Sequence, residues 1–424
     1  MGSPGSLLSW SRGRLSRAAA ASKTAGSASL ASLGSSAFLL LMAMGYAVYA
    51  IDRTVLSAVL APMSSSLALT STQIGWLSAA QYIGVTCVVF AAGYLSDRFG
   101  RWPVMIAGVA IFTGFTGLIG LSSDFNEAFA FRFVSGLGEG AFWPVAMASV
   151  ASYFKGRKGL SLGLFYVGFD AGSVAGLSIG GVAYSVYSSW RPAFFIAPII
   201  GLAVIAGAFV LKGRLAGAGQ GVGRISLGKD ALVLLRRRNV VLIMAFALLA
   251  TWASVWQVVF LPYYFFKVMH FTVLSSALLS SLVTVAGAFG KVTLGGLSDR
   301  VRRNRLLLAT TLASVCSYAV FFSSLGFEVE LVSALSMGFF SSSIFPVMQA
   351  LMADTGGGPT GSALGLSTSA QSVGTIFSPI IAASLFAFGV GRAAALDVMI
   401  PMSLAFLVAL LLKESRPSPI NIAK

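Results

Sequence analysis

Apolar residues fall in runs of about twenty along nearly the whole chain, separated by short polar or basic breaks. A run of that length matches a bilayer core about 30 Å thick, crossed by a helix rising about 1.5 Å per residue. The pattern predicts helices over residues 37–62, 74–95, 103–121, 127–151, 160–184, 193–212, 240–266, 274–297, 305–326, 329–352, 361–389 and 392–413. Twelve crossings are an even number, so both termini share one side of the membrane. The composition agrees, with 57% of the 424 residues hydrophobic and 10% charged.

The net charge of +16 says which side that is. Lys and Arg gather in the N-terminal tail (Arg12, Arg14, Arg17, Lys23), in the breaks after the second, fourth and eighth runs, and between Lys212 and Arg238. The opposite side holds Arg191, Lys267 and Arg392. The positive-inside rule then places both termini in the cytoplasm of a cell that carries this chain in its inner or plasma membrane. Charge spread over short loops between spans is no footprint for a nucleic acid, so none is expected as a partner. Cys87 and Cys316 both fall within predicted helices, at no disulfide or metal-ligand spacing. Neither a nucleotide-binding loop nor a nucleophile with a base is evident. An enzyme, a cofactor and a metal are therefore not expected. The first residues are rich in Ser, Ala and Gly, with arginines and no acids, which reads as a disordered tail. That composition also fits an organellar transit peptide, and MGSPGS fits a myristoylation pattern.

One unit is used twice. GYLSDRFGR (Gly93 to Arg101) and GGLSDRVRR (Gly295 to Arg303) align at an offset of 202 residues, and Pro144 meets Pro346 at the same offset. The expected fold is an all-α membrane protein with two pseudo-symmetric six-helix bundles around a central cavity. It divides into a tail (1–36), an N-terminal bundle (37–212), a cytoplasmic linker (213–238), a C-terminal bundle (239–413) and a second tail (414–424).

The duplication lets each half test the other. Arg132, Glu139 and Asp170 correspond to Ala334, Ser341 and Ser372, and Asp52 and Arg53 correspond within a residue or two to Ser254 and Val255. The same helices form without these charges, so the fold does not require them. Each mid-membrane charge costs about 2.5–3.5 kcal/mol, so five unpaired ones would cost roughly 12–18 kcal/mol. They must face the bundle interior and find partners. Asp52 and Arg53 are adjacent and point about 100° apart, so each addresses another helix. Arg132 and Glu139 are seven apart, on one helix face two turns from each other. Counting about 1.5 Å per residue brings Asp52 and Arg53 level with Arg132 and somewhat above Glu139. Asp52–Arg132 is the expected pair, with Arg53 and Glu139 flanking the cavity below it. Lys291 near the cytoplasmic end is also read as a snorkelling side chain. Asp397 and Arg392 read as interfacial, and His270 as a solvated loop residue. Gly168, Gly172, Gly176 and Gly180 form a stripe for close helix packing. Tyr49 and Trp143 are candidate walls of the cavity.

GYLSDRFGR resembles the loop signature between helices 2 and 3 of the major facilitator superfamily, with Trp102 where a second basic residue is usual. GGLSDR is similar to its degraded second copy. The resemblance implies two six-helix halves that rock about a central site. Gly93, Asp97, Arg98 and Arg101, with Asp299 and Arg300 in the second copy, would form a conformational latch. Asp97 at a helix end could accept from the N–H groups of a neighbouring helix terminus. RFVSGLGEGAFWP (Arg132 to Pro144), the Asp52–Arg53 pair and LPYY (Leu261 to Tyr264) resemble the anion:cation symporter family. That resemblance implies that Arg53 binds a substrate carboxylate. Asp52 and Glu139 would carry protons with Arg132 as their partner, and Asp170 is a further candidate for coupling. Asp170, Gln371 and Lys291 depart from the family pattern. A basic residue at the place of Lys291 binds carboxylate in related carriers.

Asp52, Glu139 and Asp170 oppose Arg53, Arg132 and Lys291. An added carboxylate unbalances the set and proton uptake restores it, which is symport by linkage. The expected protein is a proton-coupled symporter of a small organic anion such as a sugar acid or carboxylate, working as a monomer in the lipid bilayer. A proton/drug antiporter, an organophosphate exchanger and a non-transporting receptor on the same fold stand as alternatives.

Overall fold

The computed structural model of the chain describes residues 5–154, 158–215, 233–323, 325–356 and 360–412. Its long elements are α1 (Gly5–Ser66), α2 (Ser71–Phe99), α3 (Arg101–Ile119), α4 (Phe125–Tyr153), α5 (Lys158–Tyr187) and α6 (Ile196–Leu215). The second set is α7 (Arg238–Lys267), α8 (Val273–Leu297), α9 (Arg303–Phe321), α10 (Phe327–Gly356), α11 (Thr360–Ser384) and α12 (Val390–Leu410). No strand occurs among the described residues. Among the described residues ten helices are long and apolar enough to span a bilayer, and α2 makes eleven when its two straight pieces are joined. The remaining one is α4, which carries Arg132 and Glu139 and so trades apolarity for charge.

Local chemistry sets the helix starts. Thr70 and Gln73 form a capping box at α2, with Gln73 N–H donating to Thr70 Oγ1 at 3.3 Å and Thr70 N–H to Gln73 Oε1 at 2.9 Å. Thr272 caps α8 by accepting from Ser275 N–H at 3.1 Å. Thr70 and Thr272 stand at the offset that relates the halves. Asp124 caps α4, accepting from Glu127 N–H at 2.9 Å. Gly100, at φ 86°, makes the sharp turn from α2 into α3 that a side chain would strain.

Two observations differ from expectation at the termini and the joint. α1 continues as helix back to Gly5, where a disordered tail is expected. The run Ala18–Ala21 lies there, and Ala costs a helix least. α6 extends to Leu215, and the rest of the linker up to residue 232 lies outside the described residues, as does the C-terminal tail.

Within the N-terminal half α1 packs on α5, and α4 packs on both α2 and α3. In the other half α7 packs on α11 and α12, and α10 on α8 and α9. The halves meet through α5 with α8 and α2 with α11, two contacts related by the internal symmetry. The glycine stripe does what its spacing predicts. A Cβ on Gly172 would stand 2.2 Å from the Ala47 carbonyl oxygen, so only glycine lets α5 approach α1 this closely.

The two ends of the interface differ. Away from the termini, Gly181 of α5 packs on Leu274 and Ala277 of α8, and Gly75 of α2 packs on Pro379 and Ala383 of α11. At the end that carries the termini, Gly93 (α2), Gly163 (α5), Gly296 (α8) and Gly365 (α11) have nothing within 4 Å of where a Cβ would sit. The halves pack closely at the end away from the termini, and these four glycines meet open space at the terminal end.

Candidate functional site

The buried charges of α1 and α4 meet inside the N-terminal half, with α2 between them. Gly136 of α4 makes this possible: its Cβ would lie 2.2 Å from the Gln81 carbonyl oxygen, so α2 and α4 touch backbone to backbone. Asp52, Gln81 and Glu139 are fully buried and Arg132 is 3% exposed. Arg132 Nη1 stands 3.5 Å from Asp52 Oδ1, the pair that helix lengths predict. Arg132 also donates to the backbone carbonyls of Asp52 (3.1 Å) and Arg53 (3.4 Å), gripping α1 by its main chain. Asp52 Oδ2 accepts from Ser135 Oγ at 2.5 Å and from Gln81 Nε2 at 2.9 Å. Thr116 of α3 lies 3.4 Å from the Ser135 hydroxyl.

Arg53 does not merely flank the cavity with Glu139, as the depth estimate has it. Its Nε donates to Glu139 Oε2 at 3.0 Å. Gln81 Nε2 donates to Glu139 Oε1 at 2.8 Å as well as to Asp52, so one amide ties the two acids together. The guanidinium lies between two rings, 4.4 Å from the centre of Tyr49 and 4.9 Å from that of Tyr82. Its Nε is committed to Glu139, while neither Nη has a hydrogen-bond partner among the described residues. The side chain is 16% exposed, so this outer fork can reach a ligand carboxylate in two parallel bonds.

The network is incompletely satisfied. Asp52 Oδ1, Gln81 Oε1 and Arg132 Nε are buried without hydrogen-bond partners. Buried polar groups left this way are expensive.

Lys291 neither snorkels nor stands free. Its Nζ donates to Asp170 Oδ1 at 2.5 Å, joining α8 to α5 across the two halves. The three acids and three bases counted in the sequence are thus all paired. The Asp170–Lys291 pair borders a cavity of about 80 Å³ between the halves, whose wall also includes Thr54, Ser173, Gln257 and Ser280. At roughly 10–15 Å³ per enclosed water, that is room for several waters or a small anion. Tyr49 is buried under Arg53 rather than lining this cavity. Trp143 packs within the N-terminal bundle, its indole N–H buried without a partner.

The latch residues sit at the terminal end. Gly93, Asp97 and Arg98 are exposed, and Asp97 bonds to no helix terminus among the described residues. The expected latch contact is not made among the described residues. Arg98 donates to Tyr94 at 3.4 Å and Arg101 to Ser152 at 2.6 Å. In the second copy Asp299 pairs with Arg303 at 3.1 Å, and Arg303 also pairs with Asp354. Arg300 is exposed.

Three residues escape the sequence reading. Gln81 is neutral, yet its twin Val283 is apolar, the same contrast that singles out the charges. Gln257 lines the cavity from the C-terminal half. Asp397 is not interfacial: α12 turns it inward, 3% exposed, where it accepts from Trp252 Nε1 at 2.8 Å.

The family model of the Major Facilitator Superfamily matches residues 42–329. The methylenomycin A resistance protein of Bacillus subtilis (strain 168) is 29% identical over 198 residues, 46% of this chain and 42% of that protein. The 3-(3-hydroxy-phenyl)propionate transporter of Escherichia coli (strain K12) is 27% identical over 145 residues, 34% of this chain and 35% of that one. The chain thus spans less than half the length of these curated relatives. A crystal structure of a bacterial homolog of the human lysosomal transporter Spinster, in an inward-facing and unoccupied conformation, superposes with a TM-score of 0.75. It has 16% identity and covers 91% of this chain and 99% of its own. With two halves of six helices and a family match over most of its length, the chain belongs to the Major Facilitator Superfamily.

Proposed function

We propose that this protein is a proton-coupled symporter of a small organic anion, working by alternating access, with both termini in the cytoplasm of a cell membrane. One observation carries the reading: Arg53 holds Glu139 by its Nε and leaves its outer fork unbonded. A proton added to Glu139 weakens its hold on Arg53 and frees that cation for a substrate carboxylate. An anion on Arg53 in turn favours the protonated acid. Each ligand therefore promotes the other, as linkage requires. Asp52 shares the Gln81 amide with Glu139, so a proton at either acid is felt at the other. Tyr49 and Tyr82 orient the guanidinium. The small cavity, with Lys291 and several hydroxyls among an otherwise apolar lining, and the relative that carries an aromatic acid support a small carboxylate.

A drug/proton antiporter is the second reading, favoured by the resistance protein among the relatives. Uptake into proteoliposomes decides between them. A panel of hydroxylated, aliphatic and aromatic acids is offered with and without an inward proton gradient. Accumulation of an acid that collapses when the gradient is abolished, and that Arg53→Ala abolishes, is the expected result. Acid-independent proton release on adding an apolar cation would establish the antiporter instead.

A further inference from the structure

The C-terminal half carries a neutral version of the Arg53–Glu139 contact. Glu139 on α4 corresponds to Ser341 on α10, and the Arg53 region of α1 corresponds to the Gln257 region of α7. There the Gln257 side-chain oxygen accepts from Ser341 Oγ at 3.0 Å and from Tyr318 of α9, also at 3.0 Å. Two hydroxyls on two helices therefore pin one end of this amide. Its other end, Nε2, has no hydrogen-bond partner among the described residues and is not among the buried unpaired atoms. Gln257 lines the cavity between the halves, as does Thr54, the residue next to Arg53. With both lone-pair directions of the oxygen in use, the amide cannot turn without losing two bonds. It is an N–H donor held from behind at the cavity wall, in the half opposite Arg53, whose neighbour Thr54 belongs to the same wall.

We infer that Gln257 is a specificity-determining residue: its Nε2 donates to a second oxygen of the anion whose carboxylate Arg53 holds, so the bound substrate links the two halves. The inference rests on the organic-anion reading above. It follows from the asymmetry of the site. The N-terminal half supplies charge and reads a carboxylate. Apart from Lys291, whose charge Asp170 neutralises, the C-terminal half supplies neutral donors and acceptors (Gln257, Ser280, Thr284, Ser342) and reads whatever oxygen lies beyond it. A donor committed to a ligand rejects the analogue that lacks the matching oxygen, because the donor is then left unpaired. A ligand held from both sides is also one that the closing halves share, which is how its binding favours movement.

The test uses matched acids that differ by one hydroxyl: propionate with lactate, benzoate with 3-hydroxybenzoate, and 3-phenylpropionate with 3-(3-hydroxyphenyl)propionate. Uptake by the full chain in proteoliposomes is measured for each, and kcat/KM is compared within pairs. In at least one pair the wild type is expected to prefer the hydroxylated member by about tenfold, what one hydrogen bond to a neutral group is worth. Gln257→Leu is expected to bring that ratio near one while keeping the plain acid within about threefold of wild type. The second variant, Ser341→Ala with Tyr318→Phe, releases the amide but leaves it in place. It should narrow the preference without erasing uptake. An equal loss on both members in Gln257→Leu, a preference that survives it, or a wild type without preference in any pair overturns the inference and leaves the organic-anion reading standing. A wild type that carries no acid in the panel overturns that reading, and this inference with it.

Discussion

Glu139 has two bonded oxygens and two different partners, and the distinction shapes what its removal does. Arg53 occupies Oε2 and Gln81 occupies Oε1. Glu139→Gln keeps the shape but carries no negative charge, imitating the protonated acid. The variant is expected to bind anion and exchange it across the membrane at near wild-type rates, while accumulation no longer responds to a pH gradient. Counterflow and gradient-driven uptake, measured side by side, separate the two. Accumulation that still follows pH would move the coupling role to Asp52 or Asp170. Gln81 is the other residue on which the network turns. Gln81→Leu takes one donor from each acid at once, which in a buried network costs more than a single average hydrogen bond. Uptake should fall at least tenfold in Gln81→Leu and less in Gln81→Asn, whose shorter arm reaches one acid. Equal, mild effects of both would reduce Gln81 to packing.

Among the elements, α5 has two jobs along one length. Its middle is pressed onto α1, and near its terminal-side end Gly163 faces open space. Gly172→Leu puts atoms where the Ala47 carbonyl already is, and overpacking of that kind costs about 1–3 kcal/mol or more. A lower melting temperature in detergent, with less folded protein in the membrane, is the expected outcome. Gly163→Leu meets nothing within 4 Å and should leave the melting temperature unchanged. Its effect belongs to the cycle: when the terminal end closes, the added side chain is in the way, so transport slows although the protein is folded. If both variants behaved alike, the difference between the two parts of α5 would have no consequence for transport.

For the molecule as a whole, Asp170 and Lys291 form the ion pair that joins the two halves across their interface. Neutralising one partner leaves the other without its counter-charge at the interface between the halves, which costs more than removing both. Asp170→Asn and Lys291→Gln are each expected to lower uptake at least tenfold, and the double variant to recover to within about threefold of wild type. Such non-additivity is the signature of a pair that acts as one unit. Should the double variant be as poor as Lys291→Gln alone, Lys291 would be holding substrate in its own right. Asp97 has no helix-terminus partner among the described residues, so the latch expected of it from the sequence is not formed in this structure.

Much of this was legible in one dimension. The length of an apolar run is set by bilayer thickness, so the spans could be counted from residues alone, and the repeated Gly-x-Leu-Ser-Asp-Arg loop put the halves in register. Buried charges were legible too, because the twin half makes the same helices without them, and a charge in hydrocarbon is too costly to be incidental. Tertiary structure alone decided who pairs with whom. A shift of one residue along a helix moves a side chain by about 1.5 Å and turns it by about 100°, so depth could suggest Asp52–Arg132 but could not assign Glu139 to Arg53, or Asp170 to Lys291. Neutral residues such as Gln81 and Gln257 are cheap enough in a membrane helix to pass unnoticed until their partners are seen. Asp397 looked interfacial by its position in the run. The rotation of α12 buried it against Trp252 instead, and rotation is what packing between helices fixes.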